Sequence, residues 1–156
     1  MILRTIFVLL LIVVITPIAL CQKKENFIIQ VNERLVVGEL SGINLFLDSV
    51  YSKEVYDIDY IPGELIINED AWRKINSDTS KKVFLKFDYN TFKGGRQTIA
   101  TFFVELKKYH LEKRYVILNI YDFRNKKFRR WYQWHTDKHF LAELNWPNSG
   151  IYIRRM

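Results

Sequence analysis

Apolar and polar residues alternate along several short segments of the chain, the pattern of β-strands with one buried face. Residues 27–32 and 34–37 predict a short hairpin, and Glu64–Asn68 predicts a further strand. Lys82–Asp88 alternates most regularly, with Val83, Leu85 and Phe87 on one face. Arg114–Tyr121 is apolar on both faces and therefore predicts a strand in the centre of a sheet.

Helical spacing occurs in three places. Asn68 is a good N-cap for a short helix over residues 69–75, whose first turn holds two acids. After Gly94-Gly95, apolar side chains recur at helical intervals and predict an amphipathic helix with these apolar positions: Ile99, Phe102, Phe103, Leu106 and His110. A further short helix is predicted over residues 137–144.

These elements predict an α+β fold with an antiparallel or mixed sheet and two main helices on one face. Residues 38–63 are rich in turn-forming side chains and predict turns. Residues 128–134 are predicted to return as the antiparallel partner of the central strand, and residues 151–154 as a last strand. From Lys82 onward the predicted order is β-α-β-β-α-β, as in ferredoxin-like domains.

The N-terminus is a hydrophobic segment with the parts of a secretory signal: Arg4, an apolar run over residues 6–15 and Pro17. We therefore expect residues 1–21 to be a signal peptide or membrane anchor, and residues 22–156 to be one extracytoplasmic domain. A helix over residues 3–20 would measure about 27 Å, which leaves a retained anchor possible.

The end of this segment carries the chain's single cysteine. Ile18, Ala19 and Cys21 resemble a bacterial lipobox, although Leu20 stands where that signal usually has a small residue. The resemblance implies a lipoprotein acylated at Cys21. Cleavage after Cys21 and retention as an anchor remain open, and all three routes place the domain outside the cytoplasm.

Charge divides the chain into an acidic and a basic part. The 156 residues include 24 Lys and Arg against 17 Asp and Glu, a net charge of +7. Residues 39–70 hold eight acids and one base, whereas residues 71–156 hold nineteen bases and seven acids. The acidic part either neutralises the basic part internally or covers a basic surface meant for a partner.

A basic-aromatic run is the clearest candidate for binding, and consists of Arg124, Lys126, Lys127, Arg129, Arg130, Trp131 and Trp134. Cations beside aromatic rings suit an envelope protein, a glycan or an anionic membrane surface. They also suit nucleic acid, but the predicted export argues against it.

Catalytic chemistry has little support in the sequence. His135, Asp137 and His139 share one face of an extended chain and form a weak candidate metal site, for which a helix cap with surface histidines is the simpler interpretation. The serines lack a nucleophile turn and Gly94-Gly95 lacks the rest of a phosphate loop. We therefore expect neither an enzyme nor a cofactor.

Residues 63–122 run strand, helix, Val83–Asp88, a Gly-containing loop, helix and Tyr115–Ile120. This order resembles the periplasmic domain of ExbD/TolR-type proteins. The resemblance implies an accessory protein that transmits proton-motive energy after one N-terminal span. That family carries an Asp within its span, and no Asp lies between Thr5 and Leu20 here.

Function is thus expected in one of three classes. The first is a membrane-associated or exported envelope protein that binds a partner without catalysis or supports an assembly. The second is an inhibitor or immunity-type lipoprotein, whose acidic residues 38–70 would neutralise a basic toxin or enzyme. The third is the ExbD/TolR-like role.

Overall fold

The computed structural model describes residues 22–48, 54–77, 82–132 and 138–149. The strands in these ranges are β1 (Lys23–Val31), β2 (Arg34–Leu35), β3 (Leu40–Leu47), β4 (Val55–Asp57), β5 (Asp59–Ile61), β6 (Gly63–Ile67), β7 (Val83–Lys93), β8 (Arg96–Leu106), β9 (Val116–Asp122) and β10 (Phe140–Asn145). The helices are α1 (Glu69–Ser77), α2 (Lys108–Leu111) and α3 (Lys126–Trp131). The predicted α+β class is confirmed.

The strands form two sheets. One is mixed, with strand order β10-β9-β1-β6-β5 and β2 paired to β1 at the turn. The other is antiparallel, with order β4-β3-β7-β8. The chain passes from the second sheet to the first at Ile58, which is buried between β4 and β5.

One hydrophobic core lies between the sheets. Alternate residues of β1, β6 and β9 face it from one side, and alternate residues of β3, β7 and β8 face it from the other. Phe102 and Phe140 meet across it with ring centroids 5.0 Å apart. The alternation seen in the sequence therefore marks the inner faces of both sheets.

Several predicted elements are confirmed. Strands β6 and β9 lie within two residues of their expected bounds. The β1–β2 hairpin and β7 are also present, although β1 begins four residues earlier and β7 ends five residues later than expected. Asn68 caps α1, since its Oδ1 accepts a hydrogen bond from the Ala71 amide at 2.8 Å. Ala71 and Ile75 bury one face of this helix in the core.

The helix predicted over residues 99–110 is wrong, because most of this segment is β8. Gly94 and Gly95 have φ values of +58° and +76°, as a two-residue hairpin turn requires, and they join β7 directly to β8. Ala100, Phe102, Val104 and Leu106 then face the core with a period of two. The apolar residues recur at helical intervals in the sequence because Ile99 and Phe103, on the exposed face of β8, are also large and apolar.

Two further assignments are wrong. Residues 126–131 form α3, where a strand was predicted over residues 128–134. The antiparallel partner of β9 is β10, which overlaps most of the helix predicted over residues 137–144. The second half therefore does not have the ferredoxin-like order, and residues 63–122 contain a strand where the ExbD/TolR-like order has a helix.

Residues 38–63 also differ from expectation, because three strands, β3 to β5, fall where turns were predicted. Residues 1–21, 133–137 and 151–154 lie outside the described ranges, so the signal or anchor, Cys21, Trp134 and the last strand stay predictions.

Candidate functional site

The basic-aromatic run lies on α3 and the turn before it. Asn125 caps the helix by accepting the Lys127 amide at 3.0 Å. Phe128 is buried, and its ring lies 5.5 Å from that of Tyr121 on the outer face of β9. Tyr132 follows one turn later, and its ring lies 5.2 Å from the ring of Tyr121. The apolar side of α3 thus fixes it against the mixed sheet.

Two of the predicted binding residues are engaged within the fold. Arg124 forms a two-pronged salt bridge with buried Asp122, with Nη2 2.6 Å from Oδ2 and Nε 2.8 Å from it. Lys127 pairs with Glu33 at 2.9 Å and lies 4.4 Å above the ring of Trp131. These two cations join α3 and the turn before it to the end of β9 and to the β1–β2 turn.

The other three cations of the run face outward. Lys126, Arg129 and Arg130 are exposed, and none forms an ion pair with an acidic side chain in the described ranges. At about 100° per residue they share one side of the helix, opposite Phe128. Trp131 is 45% exposed at the end of the same helix, on the side that carries Lys127, about 100° around the axis from Arg130. We refer to Lys126, Arg129, Arg130 and Trp131 as the α3 surface.

The α3 surface lies at one end of the mixed sheet. Glu33, which binds Lys127, is in the turn that ends β1. Strand β1 runs nine residues from Lys23 to that turn, about 26 Å at roughly 3.3 Å per residue. Strand β9 is parallel to β1, so α3 follows the same end. Residue 22, where the described chain begins, therefore lies at the opposite end.

Of the three candidate metal residues, one lies in the described ranges. His139 is exposed just before β10, and His135 and Asp137 lie outside the described ranges. Within those ranges, no three His, Cys, Asp or Glu side chains are grouped closely enough to hold a metal ion.

The acidic segment forms ion pairs within α1 and between strands β1 and β6. Glu69 and Asp70 both approach Arg73 within α1, and Glu64 pairs with Lys24 at 3.3 Å. Asp57 and Asp59 are exposed on β4 and β5. Glu69 and Asp70 thus pair with Arg73, a cation of the basic part, while Asp57 and Asp59 face solvent.

Buried His110 is a titratable group that sequence reasoning placed on a predicted helix and did not single out. Its Nδ1 accepts the Lys107 amide at 3.1 Å, which closes the short helix α2. Burial, followed by the nearby charges of Lys107 and Lys113, lowers its pKa below 6.5. The rings of Tyr109 and Trp146 cover it at 4.2 and 4.8 Å.

Within the described ranges, no helix combines the length and apolar character needed to cross a bilayer. Compared with known proteins, the chain matches no family model, no curated protein and no solved structure.

Proposed function

We propose that this protein is an exported, membrane-associated binding module that captures the acidic face of a protein partner through the α3 surface. The observation that carries the proposal is the exposure of three cations on one side of α3 while Arg124 and Lys127 are paired within the fold. The module acts by binding and performs no catalysis.

The composition of the α3 surface favours a protein partner. Arg and Trp are the residue types that contribute most at protein interfaces, because each combines a large contact area with directional polar groups. Lys127 holds the ring of Trp131 from one side, so less side-chain entropy is lost when a partner covers it. The cations add attraction and orientation toward an acidic face.

The position of the α3 surface is consistent with this role. The hydrophobic residues 1–21 would hold the chain at a membrane, as a lipoprotein or by a retained anchor. The α3 surface would then stand about 26 Å further out, at the end of β1. At that distance the cations of the α3 surface would face a partner and not the bilayer in which the chain is anchored.

The alternative is an inhibitor or immunity-type lipoprotein. The observation in its favour is the exposure of Asp57 and Asp59, which lie two residues apart at the point where the chain passes from one sheet to the other. It predicts a basic partner and a dependence on these two carboxylates.

Affinity capture of the full-length chain from its own host's membranes, after chemical cross-linking, tests the proposal. Four proteins are compared: the wild type, Arg129→Glu with Arg130→Glu, Asp57→Asn with Asp59→Asn, and Lys86→Glu with Arg96→Glu. The last pair matches the charge change of the first on the antiparallel sheet, away from both ends of the mixed sheet. Quantitative mass spectrometry measures each captured protein.

We expect the Arg129 and Arg130 reversal to reduce recovery of the partner at least tenfold, the scale of truncated interface hot spots. The other two double variants should recover it as the wild type does. Recovery that survives this reversal and is lost in the Asp57 and Asp59 variant would instead favour the inhibitor.

A further inference from the structure

A second basic-aromatic surface lies at the other end of the mixed sheet, around α2. It consists of Lys107, Lys108, Tyr109, Lys113, Arg114 and Tyr115, and we refer to it as the α2 surface. Tyr109 and Tyr115 are 40% and 41% exposed. Its four cations form no ion pair with a described acidic side chain, and the segment contains one acid, Glu112.

The α2 surface contacts β1 four residues after the point where the described chain begins. Asn26 on β1 donates a hydrogen bond to the carbonyl oxygen of Arg114 at 2.9 Å. The parallel pairing of β1 and β9 starts next to it, at Phe27 and Val116. Gln22, the residue that follows the hydrophobic segment, is therefore on the same end of the sheet as the α2 surface.

The aromatic part of this surface is held in place. Lys113 lies 5.6 Å over the ring of Tyr109, and Tyr109 packs at 5.8 Å against Trp146, which follows β10. Tyrosine and tryptophan are enriched where a protein meets the headgroup layer of a bilayer, because their rings are apolar and their polar atoms stay hydrated. Lysine and arginine are attracted to anionic headgroups from the same layer.

We propose that the α2 surface docks the domain onto the anionic lipid headgroups of the membrane that residues 1–21 anchor it to. This inference rests on the membrane association in the proposed function. The hydrophobic segment would attach the chain to the bilayer, and the cations of the α2 surface would then fix the orientation of the domain on anionic headgroups. Docking at this end points the α3 surface away from the bilayer.

The test uses the full-length chain reconstituted in vesicles of pure phosphatidylcholine or of phosphatidylcholine with phosphatidylglycerol. Acetic anhydride, which crosses bilayers, acetylates the lysines, and mass spectrometry gives the rate at each position. We expect Lys108 and Lys113 to react about fivefold more slowly on the anionic vesicles. Lys126 at the other end should react equally on both.

Paired variants connect any protection to the α2 surface. Lys107→Glu with Arg114→Glu should return Lys108 and Lys113 to their rates on phosphatidylcholine, whereas Arg129→Glu with Arg130→Glu should leave the protection intact. Equal rates on both vesicles, or protection of Lys126 instead, would overturn the docking while leaving partner capture untouched. A chain that floats with neither vesicle would contradict membrane association itself and docking with it.

Discussion

Arg124 joins the two sheets through its salt bridge with Asp122. Its Nη2 lies 2.6 Å from Asp122 Oδ2 at the end of β9, while Nη1 donates to the carbonyl oxygen of Ile99 on β8 at 3.0 Å. In the antiparallel ladder closed by the Gly94-Gly95 turn, the Ile99 carbonyl faces away from β7. Arg124 therefore covers part of the free edge of β8.

Replacing Arg124 by Ala should lower the free energy of unfolding by about 1–3 kcal/mol, because it leaves the buried Asp122 carboxylate without its charged partner. Urea denaturation measures the change. Arg129→Ala is the matched control, since Arg129 is exposed on α3, and it should change stability by less than about 0.5 kcal/mol. Equal stability of the two variants would show that the salt bridge does not support the fold.

The β7–β8 turn should depend on glycine at position 95. A Cβ atom added at Gly95 or at Gly38 would have no other atom within 4 Å, so both positions have room for a side chain. They differ in backbone conformation, because Gly95 has a φ of +76° and Gly38 does not lie in the left-handed region. Gly95→Ala should therefore destabilise by about 1 kcal/mol through backbone strain alone. Gly38→Ala should be neutral or slightly stabilising in the same denaturation experiment. A loss at position 38 as large as that at position 95 would refute this explanation.

His110 should make stability fall in mild acid. Burial and the charges of Lys107 and Lys113 lower its pKa, so the unfolded chain takes up a proton at a higher pH than the folded chain does. The free energy of unfolding is then reduced as the pH falls below 6.5 toward the lowered folded pKa.

His110→Asn keeps an acceptor for the Lys107 amide and removes this titration. The difference in stability between wild type and variant should change between about pH 7 and pH 5.5, with the wild type losing more in acid. Parallel pH profiles would contradict the assignment.

Glu25 should act in the opposite direction. Burial, reinforced by Glu112 and only partly offset by Lys23, raises its pKa above 4.5. Lys23 Nζ lies 3.4 Å from Oε1, and that oxygen has no hydrogen-bond partner among the described atoms. Because the folded state holds the proton more tightly, stability decreases as the pH rises from 4.5 through the raised pKa.

Glu25→Gln should consequently stabilise the protein at neutral pH, and the gain should shrink as the pH approaches 4.5. Thermal unfolding of both proteins across this range measures it. A variant less stable than the wild type at neutral pH would show that the ion pair with Lys23 outweighs the cost of burial.

Local sequence patterns correctly predicted those strands and helices whose own residues are enough to determine their conformation. The alternation in β7, the apolar run in β9 and the Asn68 cap of α1 each describe a segment without reference to its neighbours. β8 was mistaken because its outer face also carries large apolar residues, Ile99 and Phe103, and so imitates a helix. β10 has good helix formers, but pairing with β9 decides its conformation.

The sequence predicted which residues make up the candidate site, but not which of them face solvent. The sequence placed seven residues in one basic-aromatic run, but only tertiary contacts show that Asp122 and Glu33 engage two of its cations. The sequence also contains the α2 surface as a second such run. Its nearness to residue 22 depends on the parallel pairing of β1 and β9, which no local pattern encodes.

The most direct test of the central claim is photocrosslinking from position 131 of the full-length chain in its host membranes, with a benzoylphenylalanine residue in place of Trp131 so that all three cations of the α3 surface are kept. We predict a crosslink to a protein, lost when Arg129→Glu is added and retained when Asp57→Asn and Asp59→Asn are added. Crosslinks to lipid alone, or a protein crosslink that is unchanged by Arg129→Glu, would contradict capture of an acidic partner by the α3 surface.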